Sequence, residues 1–110
     1  MSTAEERLVH QDVLSGVLSA GVSAPGERPT TVTTPLTVLG ESEVGLWDMA
    51  TGTDTDIEDD EVFLVLAGSG TVTFADGSRL DLRPGVLVRL VAGDATTWAV
   101  EEPLRKLYLG

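Results

Sequence analysis

The spacing of hydrophobic residues changes once along the chain, near residue 30. Before that point the apolar residues follow a helical spacing, at Leu8, Val9, Val13, Leu14, Val17 and Leu18. Thr3-Ala4-Glu5-Glu6 fits a capping box at the start of such a helix. Ala24 to Pro29 is rich in proline and glycine, which is typical of a linker. We therefore expect residues 1–29 to form an N-terminal helix or arm with its linker; an extended arm that pairs with another subunit is the alternative.

From Thr30 onward, polar and apolar residues alternate with the period of β-strands. Asp76-Gly77 favours a tight hairpin turn between two of these strands. Short strands with Gly or Pro at nearly every break indicate an all-β sandwich or barrel over residues 30–110. The predicted strands cover residues 30–34 and 36–39 around Pro35, then 43–49, 61–67, 71–74, 79–82, 86–91, 96–101 and 104–109, the last two separated by a break at Glu102-Pro103.

An acidic segment, Asp54 to Asp60, precedes the most apolar of these strands and is predicted to be a solvated loop. Glu61 then leads into the apolar run Val62 to Ala67, which Gly68 and Gly70 are expected to close. A carboxylate entering an apolar strand is costly unless it is paired or protonated. Glu61 is therefore the first candidate for a general acid or base; the alternative is an ion pair with an arginine, namely Arg79, Arg83, Arg89 or Arg105.

Composition excludes several classes of function. A net charge of −11 and a pI near 4.2 argue against nucleic-acid binding, which needs clustered Lys and Arg. The absence of cysteine excludes disulfides, thiolate metal sites and cysteine nucleophiles, and the single histidine, His10, is expected at the surface rather than in a site. Glu5, Glu6 and Arg7 do not fit the pattern of a signal peptide, so none is expected, and no apolar run approaches the roughly 18 residues that span a bilayer. A cytoplasmic protein without a membrane partner is expected.

Two spaced motifs carry a resemblance to a known family. Glu61 is followed after six residues by Gly68, and Gly85 after five residues by Val91-Ala92-Gly93, with Thr96 three residues beyond. With Gly45-Leu-Trp47 and the ending from Thr97-Trp98 to Tyr108, this order resembles the cupin superfamily. It is most similar to short cupins related to ureidoglycine aminohydrolase and ethanolamine-utilisation protein Q. The likeness spans about Pro35 to Leu109. It implies a cupin barrel (a double-stranded β-helix, or jelly roll), a homodimer, and a small-molecule site in the barrel mouth.

The sequence departs from that family at the metal ligands. Cupins usually bind a divalent metal through a His-x-His pair, the motif glutamate and a later histidine. The pair would fall on Asp54 and Asp56, or on Thr55 and Ile57, and Thr96 stands at the later position. We therefore expect no cofactor and no transition metal. The alternative is a hard divalent ion on Asp54, Asp56, Glu61 and Thr96, because such ions prefer oxygen ligands.

The remaining candidates for the pocket are aromatic or interrupt an apolar run. Trp47, Trp98 and Tyr108 are candidates to line a ligand, and Arg89 either points into the barrel or marks the outer face. We expect a protein that binds or transforms a small polar metabolite. The alternative is a lyase, isomerase or cyclase that uses Glu61 with Arg89 or Tyr108 for proton transfer. A structural dimer whose barrel is filled by side chains such as Phe63 is a third possibility. The full predicted site is Trp47, Glu61, Arg89, Thr96, Trp98 and Tyr108.

Overall fold

The computed structural model describes residues 3–16 and 28–110, which form one short helix and seven antiparallel strands. The prediction of an all-β jelly-roll barrel with an N-terminal helix or arm is confirmed. The elements are α1 (Ala4–Arg7), β1 (Thr31–Leu39), β2 (Ser42–Met49), β3 (Gly52–Ile57), β4 (Glu61–Phe74), β5 (Arg79–Leu82), β6 (Leu87–Leu90) and β7 (Ala95–Leu109).

Two long strands, β4 and β7, organise the barrel by pairing with each other along almost their whole length. The first half of β7 also pairs with β3 and its second half with β2, while β4 pairs with β6 near its start and with β5 near its end. Each long strand therefore contributes to two sheet halves, with β1 beyond β2 at one edge. The core between them is apolar and consists of Met49, Phe63, Val65, Val72, Leu82, Val88, Leu90, Trp98, Val100, Leu104 and Tyr108.

The sheet bends where β4 and β7 change register, at residues 65–70. Gly68 adopts a φ of +87°, and a Cβ there would overlap the backbone carbonyl of Pro103. Proline cannot donate a ladder hydrogen bond, so this irregular region accommodates it. The predicted strand end at Gly68 and Gly70 and the predicted break at Glu102-Pro103 are therefore both wrong, because these residues bend strands that continue.

Three other local predictions need correction. The predicted interruption at Pro35 is absent, because β1 continues through it with a register shift between Pro35 and Thr37. The first four residues of the expected acidic loop, 54–57, belong to β3, since the backbone of this strand pairs with β7 from Ala95 to Val100. The hairpin at Asp76-Gly77 is present and joins β4 to β5, but only Gly77 of the two has a positive φ. The Asp76 carboxylate instead accepts hydrogen bonds from the backbone and side chain of Ser78.

The N-terminal arm is held to the outer face of the barrel rather than packed as an amphipathic helix. The capping box of Thr3 and Glu6 is present, but the helix ends at Arg7. The predicted apolar stripe of a helix is therefore wrong over residues 8–16, where Leu8, Val9 and Leu14 are exposed. Val17 and Leu18, the last two residues of that stripe, lie outside the described residues. The buried Arg105 guanidinium binds Asp48 through two hydrogen bonds and donates to the carbonyls of Val13, Ser15 and Gly16. Over residues 3–16 and 28–110, no helix is long and apolar enough to cross a membrane.

Candidate functional site

The interior of the barrel contains a lysine–glutamate ion pair. Glu61 begins β4 and faces the same side as the core residue Phe63, while Lys106 lies between Leu104 and Tyr108 on the inward face of β7. Lys106 Nζ lies 2.7 Å from Glu61 Oε2, with the lysine side chain 5% exposed and the glutamate side chain 19% exposed. The pair is thus largely removed from water, and each charge depends on the other.

Three aromatic rings surround the lysine ammonium. Lys106 Nζ lies 4.7 Å from the ring centroid of Trp47, 4.6 Å from that of Phe63 and 4.8 Å from that of Trp98. The Trp98 ring centroid is 5.4 Å from that of Trp47 and 5.5 Å from that of Phe63. Aromatic faces at these distances attract a cation through the ring quadrupole. These rings and the Glu61 carboxylate together hold the ammonium in place.

A second polar pair lies beside the first. The Tyr108 hydroxyl donates to Glu43 Oε2 at 2.6 Å. Gly45 is the register partner of Tyr108, and a Cβ at position 45 would overlap the tyrosine ring. Burial raises the pKa of Tyr108 to about 12, and the hydrogen bond to Glu43 adds to the effect. Tyr108 is therefore a neutral hydrogen-bond donor at physiological pH.

A buried carboxylate, Glu58, lies next to Trp98 and accepts a hydrogen bond from its indole nitrogen. Glu58 is 8% exposed, and its Oε1 accepts from the Thr96 hydroxyl at 2.8 Å and from Trp98 Nε1 at 3.1 Å. Its backbone bonds to Asp94 and Gly93 fix the segment between β3 and β4 against the turn before β7. Thr96 thus orients a carboxylate of the same chain.

A cavity of about 310 Å³ lies beside these groups, and its lining includes Thr33, Glu43, Trp47, Glu58, Glu61, Trp98, Lys106 and Tyr108. A neighbouring cavity of about 370 Å³ shares Trp47, Asp56 and Trp98 with it, and Arg28 and Asp54 lie on its far side. Arg28 Nη2 lies 2.7 Å from Asp54 Oδ1, and this hydrogen bond to the guanidinium lowers the pKa of Asp54. Phe63, Trp47 and Trp98 contact Lys106 inside the barrel, as a filled barrel would require, yet these cavities remain.

Five of the six predicted site residues are brought together. Trp47, Glu61, Thr96, Trp98 and Tyr108 all line the cavity or contact a residue that lines it. Whether they bind a ligand or catalyse a reaction stays a prediction.

Arg89 is the sixth, and of its two alternatives the structure shows the outer face rather than the barrel interior. Val88 and Leu90 take the buried positions of β6, so the side chain of Arg89 lies on the outer face, where it is 53% exposed and pairs with Asp60 at 3.1 Å. It contacts Glu61 only at the backbone carbonyl. The alternative of an ion pair between Glu61 and an arginine is wrong in its partner, because Glu61 pairs with Lys106.

Sequence reasoning missed Lys106, Glu43 and Glu58. Lys106 has a signal in the local sequence, because it interrupts the apolar alternation between Leu104 and Tyr108. Arg89 interrupts the apolar run of its own strand in the same way. Glu58 is one of six acidic residues between Asp54 and Glu61, and the sequence does not show which of them is buried. Glu43 is identified only through its contact with Tyr108, 65 residues away along the chain.

The residues do not fit the metal that the fold family implies. The Lys106 ammonium already forms an ion pair with Glu61 Oε2 at 2.7 Å, and Asp54 forms an ion pair with Arg28. Within residues 3–16 and 28–110, no three His, Cys, Asp or Glu side chains are grouped to hold an ion. The alternative of a divalent ion on Asp54, Asp56 and Glu61 therefore lacks a converging ligand set.

Comparisons with known proteins agree with this fold. The family model described as the EutQ-like cupin domain matches residues 36–108. The EutQ protein of Clostridium difficile is similar, with a TM-score of 0.64 and 22% identity over 74% of this chain and 61% of that chain. A Rhizobium leguminosarum protein of unknown function has a TM-score of 0.65 and 26% identity, over 72% of this chain and 78% of that one. A DUF861 family protein of Thermotoga maritima has a TM-score of 0.54 and 31% identity, over 57% and 73% respectively.

This chain spans about three fifths of the Clostridium EutQ chain, 61%. The comparison with curated proteins found no match. The matched region contains the interior pair, the aromatic rings and both motif glycines. The chain belongs to the EutQ-like cupin domain family.

Proposed function

We propose that the protein binds a small polar metabolite in the cavity beside Lys106. The observation that carries the proposal is the buried Lys106–Glu61 pair inside three aromatic rings and next to a cavity of about 310 Å³. A buried ion pair is weak evidence for stability, because apolar residues of similar volume stabilise a core as well or better. A few polar groups converging on a cavity with aromatic walls are typical of a ligand site.

Tryptophan fluorescence tests this proposal directly, since Trp47 and Trp98 are the only two tryptophans in the chain and both line the cavity. A library of polar metabolites is screened by thermal shift, and each hit is titrated by fluorescence. A hit at this site changes the emission and binds about tenfold more weakly to Glu61→Gln. Asp81→Asn, an exposed carboxylate of β5, is the matched control and keeps the affinity. Hits that bind both variants equally, without a fluorescence change, would contradict the proposal.

The second candidate is an enzyme in which Glu61 acts as general acid or base, such as a lyase, isomerase or cyclase. The contact of 2.7 Å between Glu61 and the Lys106 ammonium favours it, because a proton can pass between groups at that distance. Lys106 and Tyr108 then take the partner role that Arg89, on the outer face, cannot fill. Glu61→Gln separates the two functions: an enzyme loses kcat while its ligand affinity changes little, and a binding protein has no turnover to lose.

We also propose a homodimer that uses β1. This nine-residue strand lies at the edge of the sheet, carries no charged residue in a chain of net charge −11, and exposes Val38 and Leu39 by 66% and 68%. An uncharged edge is where two acidic copies approach with the least repulsion. Light scattering should show a dimer for the native protein and a monomer for Val38→Lys, with Leu80→Lys on β5 as the control. A native monomer would refute the proposal.

A further inference from the structure

The charge on the cavity beside Lys106 is strongly unbalanced. Its lining residues include five carboxylates and one ammonium, namely Glu43, Asp56, Glu58, Asp59, Glu61 and Lys106. Asp56 and Asp59 are exposed to solvent, but Glu58 is buried and Glu43 and Glu61 are partly buried. Lys106 can neutralise only one of these three inner carboxylates, and its contact is with Glu61. The carboxylates that line the cavity therefore outnumber its one ammonium, which leaves an excess of negative charge.

The three inner carboxylates also retain acceptor capacity. Glu43 uses Oε2 for Tyr108, Glu58 uses Oε1 for Thr96 and Trp98, and Glu61 uses Oε2 for Lys106. Within the described part of the chain, the other oxygen of each receives no hydrogen bond from a protein donor. Each carboxylate is thus oriented through one oxygen and leaves the other for a donor from outside the protein.

The aromatic walls favour a positive charge as well. Trp47 and Trp98 line this cavity and the neighbouring one, and both already hold the Lys106 ammonium at 4.7 and 4.8 Å from their ring centroids. Such faces stabilise ammonium and guanidinium groups. The acidic side chains of residues 3–16 and 28–110 are not grouped to hold a metal ion, so a molecule that carries its positive charge on extended groups fits this lining better than a single ion.

We propose that the ligand of this cavity is a small organic cation that carries at least one ammonium or guanidinium group. This inference rests on the proposed metabolite-binding function and names its ligand class. The cation donates to the free oxygens of Glu43, Glu58 and Glu61 and stacks against Trp47 or Trp98. A cavity of about 310 Å³ holds about ten water-sized groups, so the ligand is a short chain or a single ring.

The test compares three probes built on a four-carbon chain: 1,4-diaminobutane, 4-aminobutanoate and butanedioate. Each is titrated into the full-length protein by calorimetry and by tryptophan fluorescence. We expect the diamine to bind at least tenfold more tightly than the dianion, with a change in emission. Glu58→Gln should weaken the diamine about tenfold, since the amide keeps an oxygen for Thr96 and Trp98 and removes only the charge.

Non-specific attraction to an acidic protein needs its own control, because the net charge is −11. Asp81→Asn removes one exposed carboxylate and should leave the diamine affinity unchanged. Equal weakening by Asp81→Asn and Glu58→Gln would overturn the proposed site. Tighter binding of butanedioate, lost in Lys106→Met, would overturn the cationic class and leave metabolite binding intact. Failure of all three probes at about 10 mM would also overturn the cationic class, and the library screen would then decide the proposed function separately.

Discussion

Replacing Lys106 with methionine tests whether the interior ion pair is a coupled unit. Methionine keeps an unbranched stem of similar length, so the packing against Trp47, Phe63 and Trp98 is largely preserved while the ammonium is removed. Glu61 then remains at the start of β4 with its side chain only 19% exposed and no counter-charge. The cost of the substitution therefore measures charge rather than volume.

The expected cost follows from the contacts. Breaking a buried pair by removing one partner costs about 3–5 kcal/mol, and each cation–π contact contributes about 0.5–1 kcal/mol or more when desolvated. Because the glutamate retains some contact with water, we expect Lys106→Met to lower the free energy of unfolding by about 2–4 kcal/mol. The double variant with Glu61→Gln leaves no unpaired charge and should lose less than the sum of the two single variants. The resulting coupling energy should be about 2 kcal/mol.

Urea unfolding of the four proteins of this cycle, followed by circular dichroism and by fluorescence of Trp47 and Trp98, measures the coupling. The matched control is the same cycle on Arg89 and Asp60. These two side chains form an ion pair at 3.1 Å, and they are 53% and 65% exposed. Solvent screens that pair, so no coupling should be measurable there. A coupling energy below about 0.5 kcal/mol for Lys106 and Glu61 would refute the argument that burial makes each charge depend on the other.

Three further predictions concern Tyr108, Gly68 and Arg105. Tyr108 is the only tyrosine, so its phenolate absorbance should titrate near pH 12. Because this pKa is raised above the unfolded value of about 10, the free energy of unfolding should fall as the pH rises from about 10 to 12. Glu43→Gln should lower the pKa of Tyr108, since it removes the charged hydrogen-bond partner. Gly68→Ala should cost about 3 kcal/mol or more in urea unfolding, because the new Cβ overlaps a backbone carbonyl at a positive φ. Arg105→Lys should increase proteolysis of residues 3–16, since lysine cannot bind Asp48 bidentately and the arm carbonyls at once.

Two of these predictions have close controls in the chain. Gly77 has a φ of +86° with nothing near its Cβ, so Gly77→Ala isolates the conformational cost of about 1 kcal/mol from the steric cost at Gly68. Arg89→Lys changes an exposed arginine of β6 and should leave proteolysis of the arm unchanged. Equal costs at positions 68 and 77, or arm cleavage that is the same in Arg105→Lys and Arg89→Lys, would contradict the respective argument. For Tyr108, titration near pH 10 would show that the hydroxyl is not buried.

The sequence predicts the architecture better than the site, for a physical reason. The period-two alternation, the glycine spacing and the hairpin signal are local, so they recover the β class and the order of most strands. The bend at Gly68 and Pro103 is not local, because it depends on two strands approaching across the sheet. Residues that usually end a strand therefore led to two false strand boundaries.

The same limit applies to the partner of Glu61. The sequence identifies a carboxylate that enters an apolar strand and needs a counter-charge, and this much agrees with the structure. Which basic residue pairs with Glu61 depends on which of them points into the barrel and reaches Glu61 from a neighbouring strand. Alternation places Arg89 and Lys106 each within an apolar run, and only the burial of their neighbours shows that the first points out and the second in.

The substitution of the metal histidines and the presence of Lys106 have a common electrostatic basis. In the cupins that this chain resembles, the motif glutamate and neutral histidines bind a divalent cation, which supplies the counter-charge for the buried carboxylate. Here the histidine pair would fall on Asp54 and Asp56 or on Thr55 and Ile57, none of them histidine, and the Lys106 ammonium of β7 supplies the counter-charge of Glu61. A lysine delivers only one positive charge, so it balances Glu61 and leaves Glu43 and Glu58 uncompensated. The negative charge that remains on Glu43 and Glu58 is thus available to a ligand, which is why we infer the cationic ligand class from the charge that Lys106 leaves unbalanced.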